Sequence, residues 1–161
     1  MNFTKSALFA AAAVFFSGHA FAQLPSSKIL TVDVAQTIAQ EAVASCRAAG
    51  YKVTALVVDG MNAPKALLRD DGATAATTEV ARMKATSVML FNRASGPAQP
   101  LPAGTPAPPP VVPGTINAQG GVPIKVGDAT IGAVAVSGAP GGDKDAACAN
   151  AALAKVADKL R

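Results

Sequence analysis

Few side chains in this sequence can do chemistry. The one histidine, His19, lies in an apolar N-terminal stretch, and tryptophan is absent. Lys5 precedes that stretch, residues 7–16 are almost wholly apolar, and Ala20-Phe21-Ala22 forms a small-x-small site. The pattern predicts an export signal over residues 1–22, with a mature chain from Gln23 to Arg161 in the periplasm or the medium. Such a mature chain holds no imidazole. That excludes a Ser-His-Asp triad, a Cys-His dyad and any histidine-ligated metal.

Three groupings remain. The loop Gly138-Ala139-Pro140-Gly141-Gly142 precedes a helical pattern. Its amides suit either an anion cradle or a tight strand-to-helix turn that needs glycine. It lacks the Gly-Lys-Ser/Thr ending of a P-loop, and Asp143 and Asp145 oppose a phosphate there. Asp59, Asp70 and Asp71 form the second grouping. Neighbouring turn residues point apart, so they make a poor acid–base pair, and the oxygen-ligand spacing of an EF-hand is missing. Cys46 and Cys148 form the third. An even pair behind an export signal reads as a disulfide, or else as two buried thiols.

These residues need elements to position them. Ala35, Ile38, Ala39, Ala42, Val43 and Cys46 make one apolar stripe of a helix, with Thr31 as its N-cap and Gly50 beyond its end. Val53 to Val58 and Pro64 to Arg69 read as a hairpin around Asp59-Gly60. A second helix spans about 78–93. Val122 to Val126 and Thr130 to Val136 make a second hairpin around Gly127-Asp128, and a last helix, capped by Asp143, follows. A further strand is expected near Val111 to Asn117. Short turns between neighbouring strands make them antiparallel, so the class is α+β, with helices covering an antiparallel sheet.

Between Pro97 and Pro113, eight of 17 residues are proline. No packed helix or central strand tolerates that density, so residues 97–113 read as a partly polyproline-II loop. It serves as a docking segment or as a surface insertion. The formal charge of +4 falls to +3 without Lys5 and is not clustered, which argues against nucleic-acid binding. After signal cleavage no apolar run reaches the length of a transmembrane helix.

Four stretches resemble one family. They are Val57-Val58-Asp59-Gly60 with Leu67-Leu68-Arg69-Asp70-Asp71-Gly72-Ala73, then Ala81-Arg82-Met83-Lys84-Ala85, then Gly120-Gly121-Val122-Pro123-Ile124, and last Gly132 through Asp143. In this order they resemble the GlcG/HbpS-like family of small haem-binding or haem-associated proteins, and are similar to the C-terminal part of PduO-type proteins. The likeness spans roughly residues 29–160; the proline-rich loop departs from it most. It implies a profilin-like, five-stranded antiparallel sheet with a helical layer, frequent homo-oligomers, and haem or another tetrapyrrole as ligand in an extracellular or redox-sensing setting. With that fold, the first and last helices pack antiparallel on one face and bring Cys46 beside Cys148.

The resemblance directs attention to groups that suit haem. Without histidine, soft or phenolic donors remain, of which Met61 in the hairpin turn and Tyr51 after the first helix are the site candidates. Met83 and Met89 read as core. Arg69, Arg82 and Lys84 could pair with propionates, and Gly138, Gly141 and Gly142 could contact a carboxylate. The leading reading is an exported haem-binding protein without strong catalysis. The rivals are an enzyme of haem degradation or of small 2-hydroxy acids, and an oligomeric interaction module using the proline-rich loop.

Overall fold

The computed structural model describes residues 28–97 and 112–161. The export signal and the greater part of the proline-rich loop lie outside these residues. Helix α1 (Val32–Ala48) leads into strands β1 (Thr54–Asp59) and β2 (Pro64–Arg69). Helix α2 (Ala76–Phe91), strands β3 (Gly121–Val126) and β4 (Ala129–Ser137), and helix α3 (Gly142–Lys155) follow. The strands form one antiparallel sheet in the order β2-β1-β4-β3.

The sheet has four strands rather than the expected five. The segment expected to supply another, over residues 112–117, forms turns and bends instead. Side-chain hydroxyls replace a ladder there. Ser87 on α2 donates to the Ile116 carbonyl at 3.0 Å and accepts from the Ile116 amide at 2.9 Å. Ser95 holds the Ala118 carbonyl at 2.7 Å and the Gly121 amide at 2.8 Å. Two serines thus fasten the return from the proline-rich loop to the start of β3.

Three layers result. Val53, Ala55 and Val57 point from one face towards α1 and α3, joined by Val134 and Val136 of β4. Leu56 and Val58 point from the other face towards α2, joined by Ala133 and Ala135. A strand buried on both faces loses its apolar–polar alternation, which is why residues 53–58 read as one apolar run. The alanines of β4 let α2 approach closely. Its contact stripe is also small, with Ala81, Ala85 and Val88 fully buried.

Helix α1 starts as expected: the Thr31 side chain accepts from the Val34 amide, and Asp33 sits in the first turn. Helix α3 does not. Gly141 occupies its N-cap position, and Asp143 lies inside the first turn without capping. Cys46 and Cys148 are joined, with Cα atoms 5.4 Å apart, tying α1 to α3 across 102 residues of sequence.

A second tie joins α1 to the connection between β2 and α2. The guanidinium of Arg47 meets Asp70 at 2.6 and 3.3 Å, and the Asp71 amide donates to the same carboxylate at 2.8 Å. The Arg47 hydrogen bond holds the Asp70 carboxyl below its usual value. The native form therefore favours ionised Asp70 more than the unfolded chain does. This contribution is present above the unfolded value near 3.8 and is lost as pH falls through the lower native value. Acid unfolding of Asp70→Asn, followed by circular dichroism, should show a shallower fall in stability over that window. An unchanged acid limb would refute this.

Candidate functional site

A charged pair sits at the junction of all three layers. Lys84 of α2 donates to Asp145 of α3 at 2.7 Å and to the Val136 carbonyl of β4 at 2.9 Å. The two side chains are only 3 % and 4 % exposed. The other Asp145 oxygen accepts from the Ala139 amide at 2.9 Å. Burial pushes the Asp145 carboxyl up from its ordinary value, and the Lys84 ammonium and the loop amides pull against that rise. Gly120 makes the space. It has φ +127°, and a Cβ there would stand 2.6 Å from both Lys84 Nζ and the Val136 carbonyl oxygen.

This junction corrects two expectations about ligand contacts. Lys84 is not a surface cation free to meet a propionate; its ammonium is committed inside the protein. The Gly138–Gly142 loop already holds a carboxylate, that of Asp145. Gly138 has φ +132° and lies against the Lys52–Val53 backbone, while Gly142 packs against Gln119. Glycine is required here by close approach, so the tight-turn reading accounts for Gly138 and Gly142, and Gly141 serves as the extended N-cap.

The remaining candidates fall in two places. Tyr51 is half-buried against the core shared by α1 and α3. Met61 lies in the β1–β2 turn with 86 % of its surface exposed. Its amide and that of Ala63 donate to Asp59, which shapes the turn. Arg69 is exposed at the end of β2, with Nη1 donating to the Ala73 carbonyl. Arg82 is exposed on α2, beside Glu79 at 3.1 Å.

Arg69, Arg82 and Met61 border one surface. Helix α2 packs over β1, β4 and β3, and among the described residues it leaves this face of β2 largely uncovered. Register places Leu67 opposite Leu56 and Arg69 opposite Thr54, so both point to the α2 side. Thr54 meets Thr77 of α2 at 2.7 Å, and Asn62 of the hairpin turn meets Thr86 at 3.1 Å. Arg82 lies one turn before Thr86 on the same helical stripe, facing the groove. The groove therefore has Leu67, 47 % exposed, on its floor, guanidinium groups beside it, and a thioether at its hairpin end.

Sequence reasoning read Asp145 only as a first-turn charge that opposes a phosphate, and passed over Leu67 as a site residue. A signal for the first was present: Asp145 falls on the stripe of Ala149, Ala152 and Val156, as Lys84 falls on that of Ala81, Ala85 and Val88. A charge on each apolar stripe points to a buried pair. Nothing local marks Leu67, because its exposure depends on where α2 lies. Elsewhere, a pocket between the start of α1 and the last residues, lined in part by Leu30, Val34, Ile131 and Lys159, holds about 100 Å³. Ligand pockets usually hold roughly 300–1,000 Å³. Among the described residues, no group of three or more His, Cys, Asp or Glu side chains could hold a metal ion.

The family model described as "Haem degrading protein HbpS-like" matches residues 30–154. A double mutant of HbpS from Streptomyces reticuli is similar at 27 % identity and TM-score 0.70, covering 91 % of this chain and 98 % of that one. Protein ORFY of Klebsiella pneumoniae is similar in fold at 23 % identity and TM-score 0.65, covering 82 % and 94 %. A crystal structure of a PduOC–haem complex shares the fold at 18 % identity and TM-score 0.65, covering 79 % and 94 %. No curated protein matches the chain.

Proposed function

Since the chain belongs to the HbpS-like family, we propose that it is an exported protein that binds haem or a related tetrapyrrole in the groove between α2 and β2. The observation that carries this is the pairing of exposed Leu67 with the flanking Arg69 and Arg82 on a part of the sheet that, among the described residues, α2 leaves largely bare. A tetrapyrrole of this class offers a planar apolar ring and two carboxylates. The exposed leucine suits the ring and the guanidinium groups suit the carboxylates. Haem would bring an iron able to change redox state. Met61, exposed in the β1–β2 turn at the hairpin end of the groove, is the soft donor assigned to the iron, and there is no histidine among the described residues.

The disulfide between Cys46 and Cys148 supports an oxidising compartment, in keeping with the export reading. A redox-sensing or accessory role fits the same setting. The guanidinium groups of Arg69 and Arg82 neither accept nor release protons near neutral pH, so their role in the groove is to bind carboxylates.

Haemin titration followed at the Soret band tests the reading. Saturable, near-stoichiometric binding is expected, with Arg69→Ala and Arg82→Ala each weakening it about tenfold, as the loss of one charge-assisted hydrogen bond would. A linear, non-saturating response would remove haem as ligand. Turnover of bound haemin with a reductant to a biliverdin-like spectrum would instead establish the enzymatic rival.

A further inference from the structure

The α1–α3 side of the sheet holds a cavity that the proposed groove does not use. Helix α3 stops at Lys155, and a 3-10 turn over Ala157–Lys159 brings the last residues beside the start of α1. The two segments leave a space of about 100 Å³ between them. Its walls are Leu30, Val34, Val126, Ile131 and Leu160, all in the core on that side or packed against it. Leu30 settles onto the sheet because residue 132 is glycine; a Cβ there would stand 3.2 Å from the leucine Cδ2. The groove beside α2 lies on the opposite face, so the two share no side chain.

Three cations stand at this space. Lys28, Lys159 and Arg161 line it and are exposed, and no acidic side chain lines it. The acidic residues closest to the lining in sequence, Asp33, Asp128 and Asp158, lie outside it. None of the three cations forms an ion pair among the described residues. Ile29, 76 % exposed, extends the apolar lining towards solvent. Apolar walls with positive charge beside them select an amphiphile with one anionic end. Volume narrows the class. A dry cavity of about 150 Å³ admits a benzene ring, so about 100 Å³ takes a tail of about four carbons and no tetrapyrrole.

We propose that this cavity binds short straight-chain aliphatic carboxylates, the tail against Leu30, Val34 and Ile131 and the carboxylate among Lys28, Lys159 and Arg161. Pentanoate, with a four-carbon tail, matches the volume. Ammonium and guanidinium groups hold the head by charge-assisted hydrogen bonds. Each methylene buried adds about fourfold in affinity. The gain ends where the cavity ends, so a longer tail reaches into solvent and adds little. The head stays at the surface, so added salt weakens binding.

Titration of the full chain with the sodium salts from acetate to hexanoate, followed by amide shifts in two-dimensional NMR, tests the proposal. Saturable shifts are expected at Leu30, Ile131 and Leu160, with Kd falling about fourfold per methylene up to pentanoate and levelling after it. Pentylammonium carries a similar tail with the opposite charge and should bind at least about tenfold more weakly. Lys28→Glu with Lys159→Glu should weaken pentanoate at least about tenfold. Both positions are exposed, and circular dichroism will verify that the variant folds. No saturation by any carboxylate, a Kd indifferent to tail length, or equal binding of pentylammonium would overturn the proposal. So would shifts seen only with phosphatidylglycerol vesicles, which would assign the patch to a membrane surface. Haemin titration of the same double variant should match the wild type, because the groove lies across the sheet. Loss of haemin and pentanoate binding together would overturn a separate site.

Discussion

Replacing Lys84 with methionine will cost the protein about 3–5 kcal/mol at neutral pH, the range found when one partner of a buried ion pair is removed. The Asp145 carboxylate would keep its Ala139 amide but lose its only side-chain partner. Burial already pushes this carboxyl up, so without the ammonium it rises further. A carboxyl whose native value lies above the unfolded one favours folding fully below the unfolded value. It loses that contribution as pH rises through the native value. The penalty in Lys84→Met is therefore largest near neutrality and shrinks towards about pH 4, where the carboxyl takes a proton. Urea unfolding at both pH values measures this directly. The paired change Lys84→Met with Asp145→Leu should recover much of the loss, because a buried pair often exchanges for apolar groups at little cost. A loss under about 1 kcal/mol in the single variant would show that the pair is not desolvated as the structure has it.

Removing the disulfide will have an effect of similar size. The bridge closes a span of 102 residues, for which the chain-entropy account gives about 4–5 kcal/mol and measured native bridges about 2–5 kcal/mol. Cys46→Ser with Cys148→Ser should lower the denaturant midpoint accordingly and raise the slope, because the unlinked denatured chain is less compact and exposes more surface. Cys46 is wholly buried and Cys148 is 4 % exposed, so mild reductant alone should leave the native bridge intact until the protein opens. Rapid alkylation of both sulfurs under native reducing conditions would contradict that protection. The bridge and the Lys84–Asp145 pair both hold α3, one from α1 and one from α2. Loss of either should loosen α3 before the β1–β4 ladder, which hydrogen exchange can resolve.

The elements themselves follow from local pattern. The 3.6-residue stripe from Ala35 to Cys46, the Thr31 cap and the two hairpin turns are each specified by residues close together in the chain. Their types and order survive in the structure with shifts of one or two residues at most ends; α3 stops at Lys155, short of the Leu160 and Arg161 expected in it, and a 3-10 turn over Ala157–Lys159 follows. Local pattern failed where local partners were absent. Residues 112–117 carry β-branched side chains, yet Ile116 bonds to Ser87 from elsewhere in the chain, Thr115 bonds back to Val112, and no strand forms. Gly141 takes the cap of α3 in place of Asp143, while Asp145 reaches back to the Ala139 amide and pairs with Lys84 of α2.

The ligand-facing residues divide in the same way. Arg69, Arg82 and Met61 stand out in the sequence as a cation, a cation and a soft donor, and types alone identify them. Lys84 has the same charge as Arg82 two positions away. Only the packing of α2 on the sheet turns one inward to Asp145 and the other outward to solvent. The sequence by itself determined the elements, the absence of histidine chemistry after residue 19, and the family resemblance, because these depend on residue type and short spacing. The tertiary structure alone decided which charges are buried and, among the described residues, which part of the sheet α2 leaves bare. Those depend on how helices share the two faces of the sheet, a balance of non-local packing that no short stretch of chain encodes.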